Sequence, residues 1–298
     1  MTAKVKVVEV GPRDGFQNVK EYIPAETKLE IIDGLVNAGL QKIEITSFVS
    51  PKAIPQMQDA AQIAETSVAR YPDIELFALV PNLFGAKAAV AAGLKEITPV
   101  ISLSASHNMA NIRRTHEQSI EDLAKIRQEL PDVKINLDIA TAFGCPFEEE
   151  MPVDQLIEFI GKLRELGINA FTLCDTIGIA YPTLVEEVFQ RVRKEFPQDE
   201  FNAHIHDTRN MGILNSYVAM LNGADSVQTS LGGLGGCPFA PGASGNTSTE
   251  DLVYMLNKSG FDTGIDFDKL LATAKLAKEK IDGNFSGHHI HISKTPCI

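Results

Sequence analysis

The sequence predicts one (β/α)8 barrel of the α/β class, closed by a short C-terminal helical extension. Three observations carry this. Strand-like and helix-like apolar patterns alternate eight times, several helices end in glycine just before a new strand, and no Pro/Ser-rich linker or composition shift divides the 298 residues. The rhythm begins with an apolar strand pattern at residues 5–10. In residues 27–38, Leu29, Ile32, Leu35 and Val36 then recur at helical spacing, and Gly39 stops the helix. Further strands are expected at residues 42–46, 75–80, 96–101, 133–139, 170–173, 201–206 and 225–229. Asn37-Ala38-Gly39, Ala91-Ala92-Gly93, Glu165-Leu166-Gly167 and Leu221-Asn222-Gly223 punctuate the helices between them. An open dinucleotide-binding sheet would need G-x-G-x-x-G after its first strand, but Gly11-Pro12-Arg13-Asp14-Gly15 stands there. The barrel is expected to occupy residues 1–262. A helix at 267–281 and a tail, packed on or beside the barrel, fill 263–298.

Composition narrows the function. Lys and Arg number 27 against 39 Asp and Glu, and the net charge of −12 argues against a nucleic-acid surface, which needs a basic face. No apolar run reaches the ~18 residues of a membrane helix. The N-terminus runs straight into strand pattern, so no cleavable leader is expected. Cys145, Cys174, Cys237 and Cys297 lie far apart with no C-x-x-C, the pattern of reduced thiols in a cytoplasmic protein.

Barrel chemistry gathers at the C-terminal ends of the strands. His204 and His206 lie two apart in a strand and share one face, with Ile205 turned to the helices. They either bind one metal ion or serve as a strand cap and a satisfied core residue. Asp14 and Asn246, at other strand ends, would add oxygen donors. Such a mixed set suits Mg²⁺ or Mn²⁺, and Zn²⁺ remains compatible. Glu44 sits in an apolar strand and needs a cationic partner, for which Arg13 is the obvious candidate. That pair is either purely structural or a device that aims Arg13 at a substrate oxygen. Cys237 lies in a glycine-dense loop, either as a small hydrophobe or as a thiol for proton transfer or nucleophilic attack. Asp175 ends the sixth strand and can support the site from behind. His107, Arg113 and Arg114 follow the fourth strand, as anion binders or as a solvated helix start. His288-His289-Ile290-His291 reads as a flexible terminus.

With these residues in view, the chain resembles the 3-hydroxy-3-methylglutaryl-CoA (HMG-CoA) lyase family of the DRE-TIM metallolyase superfamily. The matching segments are GPRDGFQN (11–18), IEITSFVSPKAIPQM (43–57), VPNLFGAKAAVAAGLKE (80–96), GCPFEEE (144–150), DTIGIA (175–180), HIHDT (204–208) and GGLGGCPFAPGASGNTSTEDLVYML (232–256). They span nearly the whole chain, and the last is the most specific. The resemblance implies that Asp14, His204, His206 and Asn246 hold the divalent cation and that Arg13 stabilises the enolate of the acetyl-CoA product. It implies that Glu44 holds Arg13, that Cys237 protonates the carbanion, and that Gln17, Asp175 and Glu250 support the site. It also implies cleavage of (S)-HMG-CoA to acetyl-CoA and acetoacetate, a step of leucine degradation and ketone-body formation. No organic cofactor beyond the CoA ester is implied, and the expected assembly is a homodimer. Three departures flank the expected pocket: Ser106-His107, Arg113-Arg114, and Thr208-Arg209-Asn210. They leave a related 3-hydroxyacyl-CoA open as the substrate. A Claisen-type condensing enzyme acting on acetyl-CoA and a 2-oxo acid is the other alternative. Lys20 and Lys52 are candidates for the CoA phosphates.

Overall fold

The computed structural model describes residues 4–148, 150–236 and 245–292. Eight parallel strands form the inner wall: β1 (Lys6–Glu9), β2 (Lys42–Ser47), β3 (Glu75–Leu79), β4 (Glu96–Thr98 and Val100–Ser102), β5 (Lys134–Ile135 and Leu137–Ala140), β6 (Ala170–Asp175), β7 (Glu200–Ile205) and β8 (Ser226–Thr229). Pro99, which has no N–H to donate, splits β4, and Asn136 splits β5. The two halves still carry the sheet round. Glu96–Thr98 pairs with β3 and with Lys134–Ile135, while Val100–Ser102 pairs with Leu137–Ala140, which pairs with β6. β8 pairs with β1, so the barrel closes with no free edge.

Helices cover the outside: α1 (Ala25–Asn37), α2 (Ala60–Arg70), α3 (Leu83–Ala91), α4 (Ala105–Ile112), α5 (His116–Glu129), α6 (Val153–Arg164), α7 (Pro182–Glu195), α8 (Gly212–Leu221), α9 (Thr249–Lys258) and α10 (Phe267–Lys280). Their apolar stripes face the strands. α7 buries Val185, Val188, Phe189 and Val192, spaced to lie on one face. Each such side chain contributes ~1.5–3 kcal/mol by leaving water. Outward strand residues such as Ile43, Ile45 and Ile205 join this same core.

Few of the inward residues are apolar. Val8, Val10 and Phe77 form a small separate cluster inside the barrel. Most other inward positions are polar, among them Lys42, Glu44, Asn136, Asp138, Thr172, Asn202, His204 and Gln228, all buried. The interior is therefore a stack of polar layers.

The C-terminal segment corrects one expectation. α10 packs against α1 and α9, and the chain beyond it is tied down. The backbone N–H groups of His288 and His289 donate to the Asp251 carboxylate at 2.7 and 3.0 Å, and Ile290 is buried. Residues 288–291 are thus a fastened strap, not a flexible end. Further along the same strap, Gly287 donates its N–H to Gly232 O at 2.8 Å, and Ser286 bonds Gly233 O at 3.0 Å. The strap holds the root of the glycine-rich loop.

Candidate active site

The chain leaves β1 in a tight π-helical turn, Gly11–Gly15, in which the N–H groups of Arg13 and Asp14 both reach back to Val10 O. This aims both side chains over the barrel mouth. Arg13 donates from Nε to Glu44 Oε2 and from Nη1 to Asp14 Oδ1, each at 2.7 Å. The expected Arg13–Glu44 pair is therefore present, with Asp14 as a third member. Gln17 Nε2 donates to Asp14 Oδ1 at 2.6 Å and Asn246 Nδ2 to Asp14 Oδ2 at 2.7 Å. His204 and His206 project side by side from the end of β7, with ring centroids 5.2 Å apart. One ligand atom from each of Asp14, His204 and His206 lies within 4.8 Å of the others, and all three residues are buried.

Asn246 reaches this cluster because the chain around it is glycine. Gly245 has φ +89°, and a Cβ on Gly235 would stand 2.7 Å from Asn246 Nδ2. A backbone bridge then sets Asn246 against His206. Asn246 Oδ1 is buried with no hydrogen-bond partner among the described residues. An orphaned oxygen beside two imidazoles and a carboxylate is the donor set a hard divalent cation takes, so these residues fit such an ion.

Electrostatics agree. Burial works against ionisation of Asp14, but Arg13 and the two histidines outweigh it and hold the carboxyl down to about 2. Burial lowers His204, and burial followed by the neighbouring His204 lowers His206 to about 4, so both imidazoles stay neutral and able to ligate. Burial pushes Glu44 up to about 8 against the pull of Arg13. Burial also disfavours charge on Arg13, yet Glu44 and Asp14 hold its guanidinium above the ordinary range.

A cavity of about 530 Å³ opens over these groups. Arg13, Asp14, Gln17, His204, His206, His107 and Arg114 line it, so seven of the anticipated residues share one chamber. His107 caps the far side and is bonded through Nδ1 to Ser102 Oγ at 2.8 Å. Of the basic pair after α4, Arg114 lines the cavity, whereas Arg113 is exposed, ends α4 in the left-handed region at φ 56°, and lies outside the lining. Asp175 and Glu250 also lie outside it. Asp175 accepts the N–H groups of Ile179 and Ala180 at 2.9 and 3.2 Å and orders the loop after β6. Glu250 accepts Gly232 N–H at 2.9 Å beneath the glycine-rich loop. Lys20 lines a small adjoining cavity with Gln17, and Lys52 is exposed. Cys237 lies outside the described residues.

Two residues escaped the sequence reading. Asp138 lines the cavity from β5 with Oδ1 unpartnered among the described residues, and burial raises its carboxyl to about 7. Gln228 on β8 sits behind His204, with Oε1 2.9 Å from Nδ1. The signal for both was the alternation that found the histidines. Asn136-x-Asp138 and Ser226-x-Gln228 place polar side chains on the inward face.

Comparison with known proteins converges on one group. The hydroxymethylglutaryl-CoA lyase of Bacillus subtilis is 38% identical over 294 residues, 98% of each chain. The mitochondrial hydroxymethylglutaryl-CoA lyase of Mus musculus is 41% identical over 270 residues, 90% of this chain and 83% of that protein. Among solved structures, an HMG-CoA lyase of Acinetobacter baumannii in complex with coenzyme A and 3-methylmalate superposes with a TM-score of 0.93 at 38% identity, covering 100% of this chain and 99% of that one. The carboxyl transferase domain of Rhizobium etli pyruvate carboxylase, at 16% identity and a TM-score of 0.72, shares the fold alone. The model of the HMGL-like family matches residues 4–277, a span that includes every strand of the barrel and every group gathered at its mouth, and the chain belongs to that family.

Proposed function

We propose that this chain is a divalent-metal-dependent carbon–carbon lyase that cleaves (S)-3-hydroxy-3-methylglutaryl-CoA to acetyl-CoA and acetoacetate. The observation that carries the reading is the convergence of Asp14, His204 and His206 beside the Arg13 guanidinium in one cavity, with Asn246 bonded to Asp14. The similarity to hydroxymethylglutaryl-CoA lyases along the chain supports it.

The reaction is a retro-Claisen cleavage. The C2–C3 bond breaks, its electron pair stays on C2 as the acetyl-CoA enolate, and the C3 hydroxyl becomes the ketone of acetoacetate. A bound Mg²⁺ or Mn²⁺ supplies Lewis acidity that lowers the pKa of the C3 hydroxyl. Asp14 or His204 takes the hydroxyl proton. With Nε2 of His204 given to the ion and Nδ1 facing Gln228, the Asp14 carboxylate, which has a second oxygen, is the acceptor left open while the ion is held. Arg13, fixed by Glu44, presents positive charge to the thioester oxygen as it becomes an enolate oxygen. Cys237 delivers a proton to C2. The remaining wall of the cavity, with His107 and Arg114, meets the rest of the acyl-CoA. A homodimer and a cytoplasmic location complete the proposal, the latter in keeping with unpaired Cys145 and Cys174. Among the described residues, no helix is long and apolar enough to cross a membrane.

The test is a mass-spectrometric assay of the purified protein with Mg²⁺ against (S)-HMG-CoA and several other 3-hydroxyacyl-CoAs. Equimolar acetyl-CoA and acetoacetate from HMG-CoA is the expected result. Turnover of only another 3-hydroxyacyl-CoA would move the substrate, and turnover of none would overturn the reading.

A further inference from the structure

Beneath the metal-ligand cluster, four neighbouring strands contribute a layer of neutral, buried polar side chains: Asn136, Thr172, Asn202, Ser226 and Gln228. The strand register sets Gln228 directly beside His204. Gln228 Oε1 lies 2.9 Å from His204 Nδ1. The other end of the same amide donates from Nε2 to Thr172 Oγ1 at 3.2 Å. Asn136 Nδ2 donates to Thr172 Oγ1 at 3.1 Å, and the single Thr172 proton goes to Asn136 Oδ1, 3.3 Å away, or to the Asp138 carboxyl, so Thr172 meets Gln228 as an acceptor. Asn136 Oδ1 also accepts from Asn202 Nδ2 at 3.4 Å. Asn202 donates from the same nitrogen to Glu200 Oε1 at 3.2 Å and accepts from Ser226 Oγ at 2.5 Å.

The sense of this network follows from its ends. Burial opposes ionisation of Glu200, but Lys134 and Lys42 hold its carboxyl below the ordinary value, and a carboxylate can only accept. It therefore takes the Asn202 amide hydrogens, which turns Asn136 Oδ1 toward Asn202 and Asn136 Nδ2 toward Thr172, and with the Thr172 proton already spent, Gln228 must present its Nε2 there. The Gln228 oxygen is left facing His204. An oxygen there requires the proton on Nδ1, which leaves the Nε2 lone pair free toward Asp14 and His206. The reversed amide would put N–H groups against Nδ1, move the proton to Nε2 and remove the lone pair a metal needs.

We propose that Gln228 is a positioning residue that sets the Nδ1–H tautomer of His204 and so makes its Nε2 a metal ligand. The inference rests on the metal-centre reading above, and the experiment separates the two. Metal-stripped full-length protein is titrated with Mn²⁺ and free ion is read by electron paramagnetic resonance, for wild type, Gln228→Leu and Gln228→Glu. Wild type is expected to bind one ion per chain. Gln228→Leu should bind ~10- to 100-fold more weakly. Gln228→Glu keeps an acceptor oxygen against Nδ1 and should bind within a few-fold of wild type or tighter. If Gln228 only packed the layer, the buried charge of Glu would disturb it more than Leu, and the order of the variants would reverse. Wild-type affinity in Gln228→Leu, or that reversed order, overturns the inference. Absence of Mn²⁺ binding in wild type overturns the metal-centre reading and this inference with it. Should Gln228→Leu not fold, the ¹⁵N resonances of His204 in the metal-free wild type decide the matter. A proton on Nδ1 is expected, and one on Nε2 contradicts the proposal.

Discussion

At the N-terminal mouth of the barrel, buried Lys42 lies 2.5 Å from Glu96 and within 4.0 Å of Glu75 and Glu200. Lys134 bridges Glu96 and Glu200 at 3.4 and 2.8 Å, and Lys6 pairs with Glu75 at 2.8 Å. Three lysines there meet three glutamates. At the C-terminal mouth, Arg13 faces both Asp14 and Glu44, as their one Arg or Lys partner among the described residues, and Asp138 lines the same cavity. Ionised throughout, that end would carry two uncancelled negative charges; burial resists this by raising Glu44 to about 8 and Asp138 to about 7, and one divalent cation would match them. At the lower mouth the one such oxygen without a hydrogen bond among the described residues, Glu96 Oε1, still lies 2.5 Å from Lys42 Nζ, whereas the upper leaves Asn246 Oδ1, Glu44 Oε1 and Asp138 Oδ1 unpartnered among the described residues. Buried charge that cancels internally serves the fold. Buried charge that does not cancel marks the place where a ligand completes the structure.

Perturbing each mouth in turn sharpens the contrast. The largest effect is expected for Asp14→Ala, which removes a ligand and unfastens Arg13, Gln17 and Asn246. HMG-CoA cleavage should fall ~10⁴-fold, and Mn²⁺ binding, measured by calorimetry, should disappear. Arg13→Lys comes next. A lysine cannot span Glu44 and Asp14 as the planar guanidinium does, so kcat should drop ~10²- to 10³-fold while Mn²⁺ affinity changes little. A variant of near wild-type kcat would show that Arg13 is only a structural ion-pair partner. Lys42→Met breaks the balance at the other mouth. It leaves Glu96 short of its nearest cation and should cost ~3 kcal/mol in denaturant unfolding, with kcat of the folded protein within about twofold of wild type. If activity fell with stability unchanged, the two mouths would not be separable.

The smallest effect concerns the carboxyls beneath the glycine-rich loop. Burial pushes Glu9 up to about 7 and Glu250 up to about 8. Both lie above the unfolded value of 4.5, so the fold favours the neutral forms. That stability is fully present below pH 4.5 and is lost as pH rises through about 7 to 8. Wild-type Tm should therefore fall progressively from about pH 5 to about pH 8 and level off above that, and Glu250→Gln should recover ~2 °C of that fall. A Tm profile unchanged by the substitution would remove Glu250 as its source.

Much of this contrast is legible in the sequence, because local rules suffice for it. The eight strands follow from apolar periodicity, and the shared face of His204 and His206 follows from their spacing of two. A carboxylate in the run Lys42-Ile43-Glu44-Ile45 announces a cation across the sheet, and Arg13 is that cation. What the sequence conceals depends on register and on contacts between distant segments. Gln228 acquires meaning only beside His204, 24 positions away, and Asp138 only inside the finished cavity. The strap at His288 and His289 looks like a loose polar end until Asp251, on α9, supplies both acceptors. Asp175 and Glu250 stand near the site in sequence, yet their side chains face loop backbone outside the cavity.

The central claim is that the upper mouth performs its chemistry only when one divalent cation supplies the missing charge. The direct measurement is the rate of (S)-HMG-CoA cleavage by chelator-treated protein as Mg²⁺ is returned. The account predicts a rate near zero without metal, rising to saturation at one ion per chain, with acetyl-CoA and acetoacetate formed in equal amounts. Full turnover in the presence of chelator would contradict it.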